Sequence, residues 1–195
     1  MIRGILAVVL AAISYGVLST LAKLSYLKGF GEEDASVFQI VAGFVILSTL
    51  YLFQRNKTSL KNIPKKEYLN FFYAGANIAL TSYFYYISIK YIPASVAIVL
   101  LFQFVWIGVL LDVIFNKKYP SKIQIIAIIL LLVGTIAASG MVNADLHLDP
   151  RGLVTGLLSS LSYALFIFFN GRFSANLKPV EKSTFMIINF FHIKL

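Results

Sequence analysis

Long apolar runs alternate with short polar segments along the whole chain. Six runs have the length of a membrane span: Gly4 to Ala22, Ala35 to Phe53, Tyr68 to Ile89, Ala94 to Phe115, Ile123 to Val142, and Gly152 to Asn170. A helix needs about 20 apolar residues to cross about 30 Å of hydrocarbon. A seventh run opens near Ser183 and reaches Leu195, which is about 20 Å of helix at about 1.5 Å per residue and too short to span alone. The segments between runs carry break signals: Gly29, Pro64, Pro93, Pro120, Pro150 and Pro179. They are short, so successive helices are antiparallel neighbours. The pattern predicts an all-α, polytopic transmembrane helix bundle with no soluble domain.

Charge supports that picture. Outside the last thirteen residues, Asp112 is the one charge within a long apolar run, and the others cluster between runs. A bilayer imposes this segregation, because a charge at mid-membrane costs about 2.5–3.5 kcal/mol. Charged residues make up 13% of the 195 and hydrophobic ones 59%, whereas a soluble domain is about 25% charged. The run after Arg3 is longer than the apolar region of a secretory signal, so an uncleaved first span is expected.

The net charge of +9 does not point to nucleic acid, because the basic residues sit in short loops and form no continuous face. Their distribution reports orientation instead. One side holds Arg3, Arg55, Lys57, Lys61, Lys65, Lys66, Lys117, Lys118, Lys122, Arg172, Lys178 and Lys182; the other holds Lys23, Lys28, Lys90 and Arg151. Positive residues collect in the cytoplasm, which places the amino terminus there, in a plasma-membrane protein. The chain has no cysteine, which excludes disulfides, thiolate metal sites and cysteine nucleophiles. With only His147 and His192, a histidine metal cluster is not expected. No cofactor is implied.

The chain also repeats itself. Arg3-Gly4 recurs as Arg151-Gly152, and at the same offset Leu10, Ser14 and Tyr15 match Leu158, Ser162 and Tyr163. Small residues form a row at Gly4, Ala12, Gly16 and Thr20, and another at Gly152, Gly156, Ser160 and Ala164. At an offset one shorter, Ser36, Phe38, Ile40 and Phe44 match Ser183, Phe185, Ile187 and Phe191. The matched copies start five helices apart. Five is odd, so the second copy enters from the opposite face. Inverted repeats are a recurring design of secondary transporters, in which two similar halves exchange inward-open and outward-open shapes. Residues 1–142 therefore read as one five-helix repeat, and 151–195 as the incomplete start of an inverted second.

Ala12 to Lys23, AISYGVLSTLAK, and Ile89 to Leu101, IKYIPASVAIVLL, carry a resemblance. So does the run IIAIILLLVGTIAAS in the fifth helix. The chain resembles the EamA family of the drug/metabolite transporter superfamily over its whole length. The resemblance implies a ten-helix transporter of small solutes, of which this chain would be the first two-thirds. Three positions depart from the family's habit. Gln39 stands where an arginine is frequent early in helix two. Phe102-Gln103-Phe104-Val105 stands where a proline is frequent in helix four, and Lys117 where a glutamate often follows it.

Candidate substrate-binding residues follow from polar groups placed inside spans. Ser14 and Tyr15, with Ser162 and Tyr163, face each other across the axis of a true repeat and would line a solute cavity. The plain alternative has each serine bonding its own helix and each tyrosine packing at an interface. Asn77 and Tyr85, with Thr81, Ser82 and Tyr86, enrich helix three in hydrogen-bonding groups, as cavity lining or as interhelix bonds. Gln103 and Trp106 lie mid-span in helix four and offer a hydrogen-bonding group and a stacking surface, or ordinary packing. The small-residue rows suit close helix contact. Lys23 suits snorkelling at a helix end, or an anion contact. Asp112 suits a pairing with Lys117 or Lys118, or proton coupling.

No catalytic motif or paired intramembrane carboxylate is present. Ser25 and Lys28 have a nucleophile–lysine spacing but sit beside Gly29 in a loop. The sequence thus predicts a non-enzymatic transporter of a small organic solute working by alternating access. The competing reading is a non-transporting, truncated membrane protein or interaction partner. Expected partners are the bilayer, a solute, and a second copy or second half-chain.

Overall fold

The computed structural model describes residues 2–53, 65–138, 148–171, 177 and 179–192. Tyr15 lies in a described helix, but its side chain is outside the description. His147, Arg55, Lys57, Lys61, Arg172 and Lys178 are also outside it. Among the described residues every regular element is a helix: α1 Ile2–Leu27, α2 Glu32–Phe53, α3 Lys65–Tyr91, α4 Ala94–Leu101, α5 Phe104–Asn116, α6 Lys122–Ala138, α7 Pro150–Asn170 and α8 Pro179–His192. The protein is an all-α helical bundle.

Local sequence sets several of these limits. Gly29 takes φ +90°. Its N–H donates to the Tyr26 carbonyl at 3.1 Å, and the Phe30 N–H donates to Ser25 at 3.2 Å. This pairing closes a helix through a left-handed glycine that needs no Cβ. At α7 the Asp149 side chain accepts from the Arg151 N–H at 2.8 Å, and Pro150 fills the first helical position. A cap of this kind contributes about 1 kcal/mol. Asp149→Ala is expected to lower unfolding free energy by about that amount, measured by denaturant titration in detergent.

Among the described residues three helical stretches are long and apolar enough to cross a membrane: Glu32–Phe53, Ala94–Asn116 and Pro150–Asn170. The stretch Lys122–Ala137 is apolar but shorter. Helix α3 is long at 27 residues, yet it carries Asn77, Thr81, Ser82, Ser88 and six tyrosines. Its polar content matches its position, since other helices pack around it. The outer surface is apolar. Along α6, Ile125, Ile126, Ile129, Leu130 and Val133 all face outward, as a lipid-facing helix requires. This is a multi-pass membrane protein.

The closest packing runs between α3 and α7. Gly152, Gly156, Ser159 and Ser160 are all buried along one flank of α7. An added Cβ at Gly152 would meet Ile92 at 2.6 Å, and one at Gly156 would meet Leu100 at 2.7 Å. The close approach lets two buried serines bond across the seam. Ser88 Oγ donates to the Gly152 carbonyl at 2.8 Å, and Ser159 Oγ to the Thr81 carbonyl at 2.9 Å. Such interhelical bonds in a membrane average about 0.6 kcal/mol each, so the glycines' close packing matters more.

Helix α8 begins at Pro179, four residues before the start expected at Ser183. Glu181 is therefore helical and buried rather than in a loop. Lys182 Nζ donates to the Asn170 carbonyl and ties α8 to the end of α7. Phe185 and Met186 of α8 pack with Phe71 and Ala74 of α3. At the start of α2, Lys90 Nζ donates to both Glu32 oxygens at 2.8 Å. An exposed pair like this contributes about 0–1 kcal/mol; it ties one end of α2 to α3.

Candidate functional site

The span from Ala94 to Asn116 is interrupted in its middle, and the interruption organises the polar groups around it. In a continuous helix the Gln103 N–H would reach Val99. Here it donates to Leu100 at 3.1 Å, and Val105 N–H donates to Phe102 at 3.2 Å. These shorter closures tighten the turn toward 3₁₀ spacing. The released Val99 carbonyl accepts instead from Gln103 Nε2 at 3.0 Å. Trp106 Nε1 then donates to Gln103 Oε1 at 2.8 Å. Proline interrupts a helix by withholding its N–H from the carbonyl four residues back. Within the stretch Phe102 to Val105, where the resembled family often has proline, Gln103 leaves the Val99 carbonyl without its backbone donor and satisfies it with its side chain.

Helix α7 faces the interruption. Phe104 meets Tyr163 edge-on, with ring centroids 4.7 Å apart and an angle of 87°. Tyr163 in turn stacks with Phe166 at 5.8 Å. Trp106 remains 41% exposed. Of the residues picked out separately in the sequence, Gln103 and Trp106 are thus joined by a hydrogen bond, and Tyr163 meets the same break through Phe104. Tyr85 lies in the buried cluster with Tyr86, Ile89 and Leu101, against which Tyr163 also packs. It backs the interruption from α3.

The other candidates stand apart. Asn77 Nδ2 donates to the Tyr73 carbonyl of its own helix at 2.8 Å. Ser14 is exposed and donates to Leu10 at 2.9 Å. Ser162, its counterpart in the repeat, is buried in α7. The two serines therefore occupy different surroundings. Asp112 is exposed, and its carboxylate accepts from Asn116 Nδ2 at 2.7 Å. Lys117, the expected partner, takes a left-handed C-cap with φ 52°. Among the described residues no group of three or more His, Cys, Asp or Glu could hold a metal ion.

One polar relay was not singled out from the sequence. Tyr26 Oη donates to the Tyr86 backbone carbonyl at 3.1 Å, and Tyr86 Oη donates to Gln39 Oε1 at 2.7 Å. It links α1, α3 and α2. The available signal was Gln39, a polar side chain within an apolar run.

An all-α bundle whose long helices are apolar enough to cross a bilayer defines a polytopic membrane protein. The EamA-like transporter family matches residues 2–140. The chain belongs to that family, and it is a membrane transporter of the drug/metabolite type. Members of the family are transporters and not enzymes. Searches of curated proteins and of solved structures each give no significant match.

Proposed function

We propose that this transporter carries a small organic solute by alternating access, along a route lined by the α4–α5 interruption and Tyr163. The observation that supports this most is the Gln103–Trp106 pair. A half-exposed indole and an amide sit at a break in mid-span, where unsatisfied polar groups are costly. Discontinuous helices are where transporters build solute sites. Tyr85 backs that site, and Ser162 lies on the same helix as Tyr163. Ser14, Tyr15 and Asn77 join it if α1 and α3 turn toward the route in another state of the cycle. Residues 151–195 supply helices of an inverted second repeat against residues 1–142. The amino terminus lies in the cytoplasm, as the loop charges support, and the membrane of this reading is the plasma membrane.

Cells expressing the chain are expected to show saturable uptake or efflux of at least one solute from a panel of amino acids, nucleosides and toxic metabolites. Transport indistinguishable from vector-only cells across the whole panel would contradict the proposal.

A further inference from the structure

A half-open pocket lies between α2, α3 and α8. Its volume is about 220 Å³, and it is lined by Gln39, Ile40, Gly43, Gly75, Ile78, Ala79, Ser82 and Ile187. It is distinct from the α4–α5 interruption. Gly75, Ile78, Ala79 and Ser82 share one face of α3. Thr81, Tyr85, Ser88 and Ile92, which face α7 and α4, lie about 100° further round at 3.6 residues per turn.

The lining has a definite chemistry. Among the described residues no charged side chain lines it, so a charged ligand would lose its hydration with none of them to replace it. Six of the eight described lining residues are glycine, alanine or isoleucine, so most of a ligand's surface would meet hydrocarbon. Two polar groups remain. Gln39 Oε1 is occupied by the Tyr86 hydroxyl at 2.7 Å. That bond fixes the amide and leaves the Nε2 protons as donors. Tyr86 is itself buried, so the amide is held from behind. The Ser82 hydroxyl has no hydrogen-bond partner among the described residues. The space also has room. A Cβ on Gly43 would sit 3.9 Å from Ile187 Cδ1, which is ordinary contact, and the volume equals about seven waters at about 30 Å³ each.

We propose that this α2–α3–α8 pocket binds a small uncharged molecule, apolar over most of its surface, with a hydrogen-bond acceptor held by Gln39 Nε2. Ketones, esters and amides have that chemistry. The site does not depend on the proposed transport route and is testable without transport.

The test uses the purified full chain in lipid nanodiscs, with cyclohexanone as probe. Methylcyclohexane has a similar shape and no acceptor, and cyclohexylammonium carries a charge. Binding is read by ligand-observed saturation-transfer NMR, with empty nanodiscs subtracted to remove partitioning into lipid. Cyclohexanone is expected to bind at least tenfold more tightly than either control. Gly43→Leu fills the space and should abolish the signal. Gln39→Leu with Tyr86→Phe removes donor and partner together, so no buried hydroxyl is orphaned. It should bring cyclohexanone down to the level of methylcyclohexane, a loss of about tenfold. Helix content by circular dichroism checks that both variants fold. Equal binding of cyclohexanone by the wild type and the folded double variant would overturn the proposal. So would a signal no larger than that of empty nanodiscs.

Discussion

Gly156→Val is expected to push α7 away from α3 and α4 and to cost on the order of 3 kcal/mol, the upper end for overpacking a tight contact. A Cβ at Gly156 would lie 2.7 Å from Leu100 Cδ1, 3.0 Å from Leu100 Cβ and 3.0 Å from Ser88 Oγ. The tip of Leu100 can swing aside. Its Cβ is fixed to the α4 backbone, and Ser88 Oγ is committed to the Gly152 carbonyl, so neither yields without moving a helix. The β-branch adds a further methyl to a space already full. Gly134 is the control, since nothing lies within 4 Å of an added Cβ there. Gly134→Ala should stabilise α6 by up to about 1 kcal/mol through helix propensity alone. Thermal unfolding in detergent distinguishes the two. The account requires shifts of opposite sign, and similar small shifts for both would show that α7 does not lean on this contact.

Gln103→Leu is expected to reduce transport at least tenfold while leaving the fold intact. Leucine cannot donate to Val99. The backbone N–H of residue 103 would then return to that carbonyl and the span would close into a continuous helix. Trp106 would lose its acceptor, and its indole would no longer be held beside the break. The two Gln103 side-chain bonds are worth about 0.5–1.5 kcal/mol each, and about 1.4 kcal/mol is tenfold in rate. Helix content and melting temperature should stay near wild type, because straightening the span restores a backbone bond. Loss of transport with loss of fold would make Gln103 a structural residue only. Full transport with a straight span would remove the interruption from the mechanism.

Much of the fold was legible because the bilayer writes it in apolar runs. The runs from Ala35 to Phe53 and from Gly152 to Asn170 correspond to α2 and α7 within a few residues. The break in the fourth run was not legible. Phe102-Gln103-Phe104 contains neither proline nor glycine, and Gln103 acts there through a side-chain bond to its own helix. Such a bond has no sequence signature beyond a polar residue in mid-span. The start of α8 was missed for a simpler reason. Pro179 and Glu181 look like loop residues, yet proline suits the first helical position and an acid suits the first turn. The repeat pairs Ser14 with Ser162 in sequence, but burial depends on neighbours. Ser162 lies on a helix packed along α3, and Ser14 faces outward. Of the candidate site, Gln103, Trp106 and Tyr163 could each be chosen from the sequence as polar or aromatic groups within spans. The contact of Tyr163 with Phe104 needed the structure, because it depends on how α7 sits against α4 and α5.

Alternating access along the proposed route requires that water reach the α4–α5 interruption and Tyr163. The chain contains no cysteine, so single cysteines can be placed directly in the native sequence. Trp106→Cys and Tyr163→Cys should react with a water-soluble, membrane-impermeant methanethiosulfonate reagent in reconstituted protein. Leu130→Cys, on the outward face of α6 where Leu130 is 67% exposed, should remain unreactive because it meets lipid. A thiol reacts as its thiolate, which forms only where water reaches it. Labelling of the Trp106→Cys and Tyr163→Cys proteins well above that of Leu130→Cys is the predicted result; labelling of both no greater than that of Leu130→Cys would contradict it.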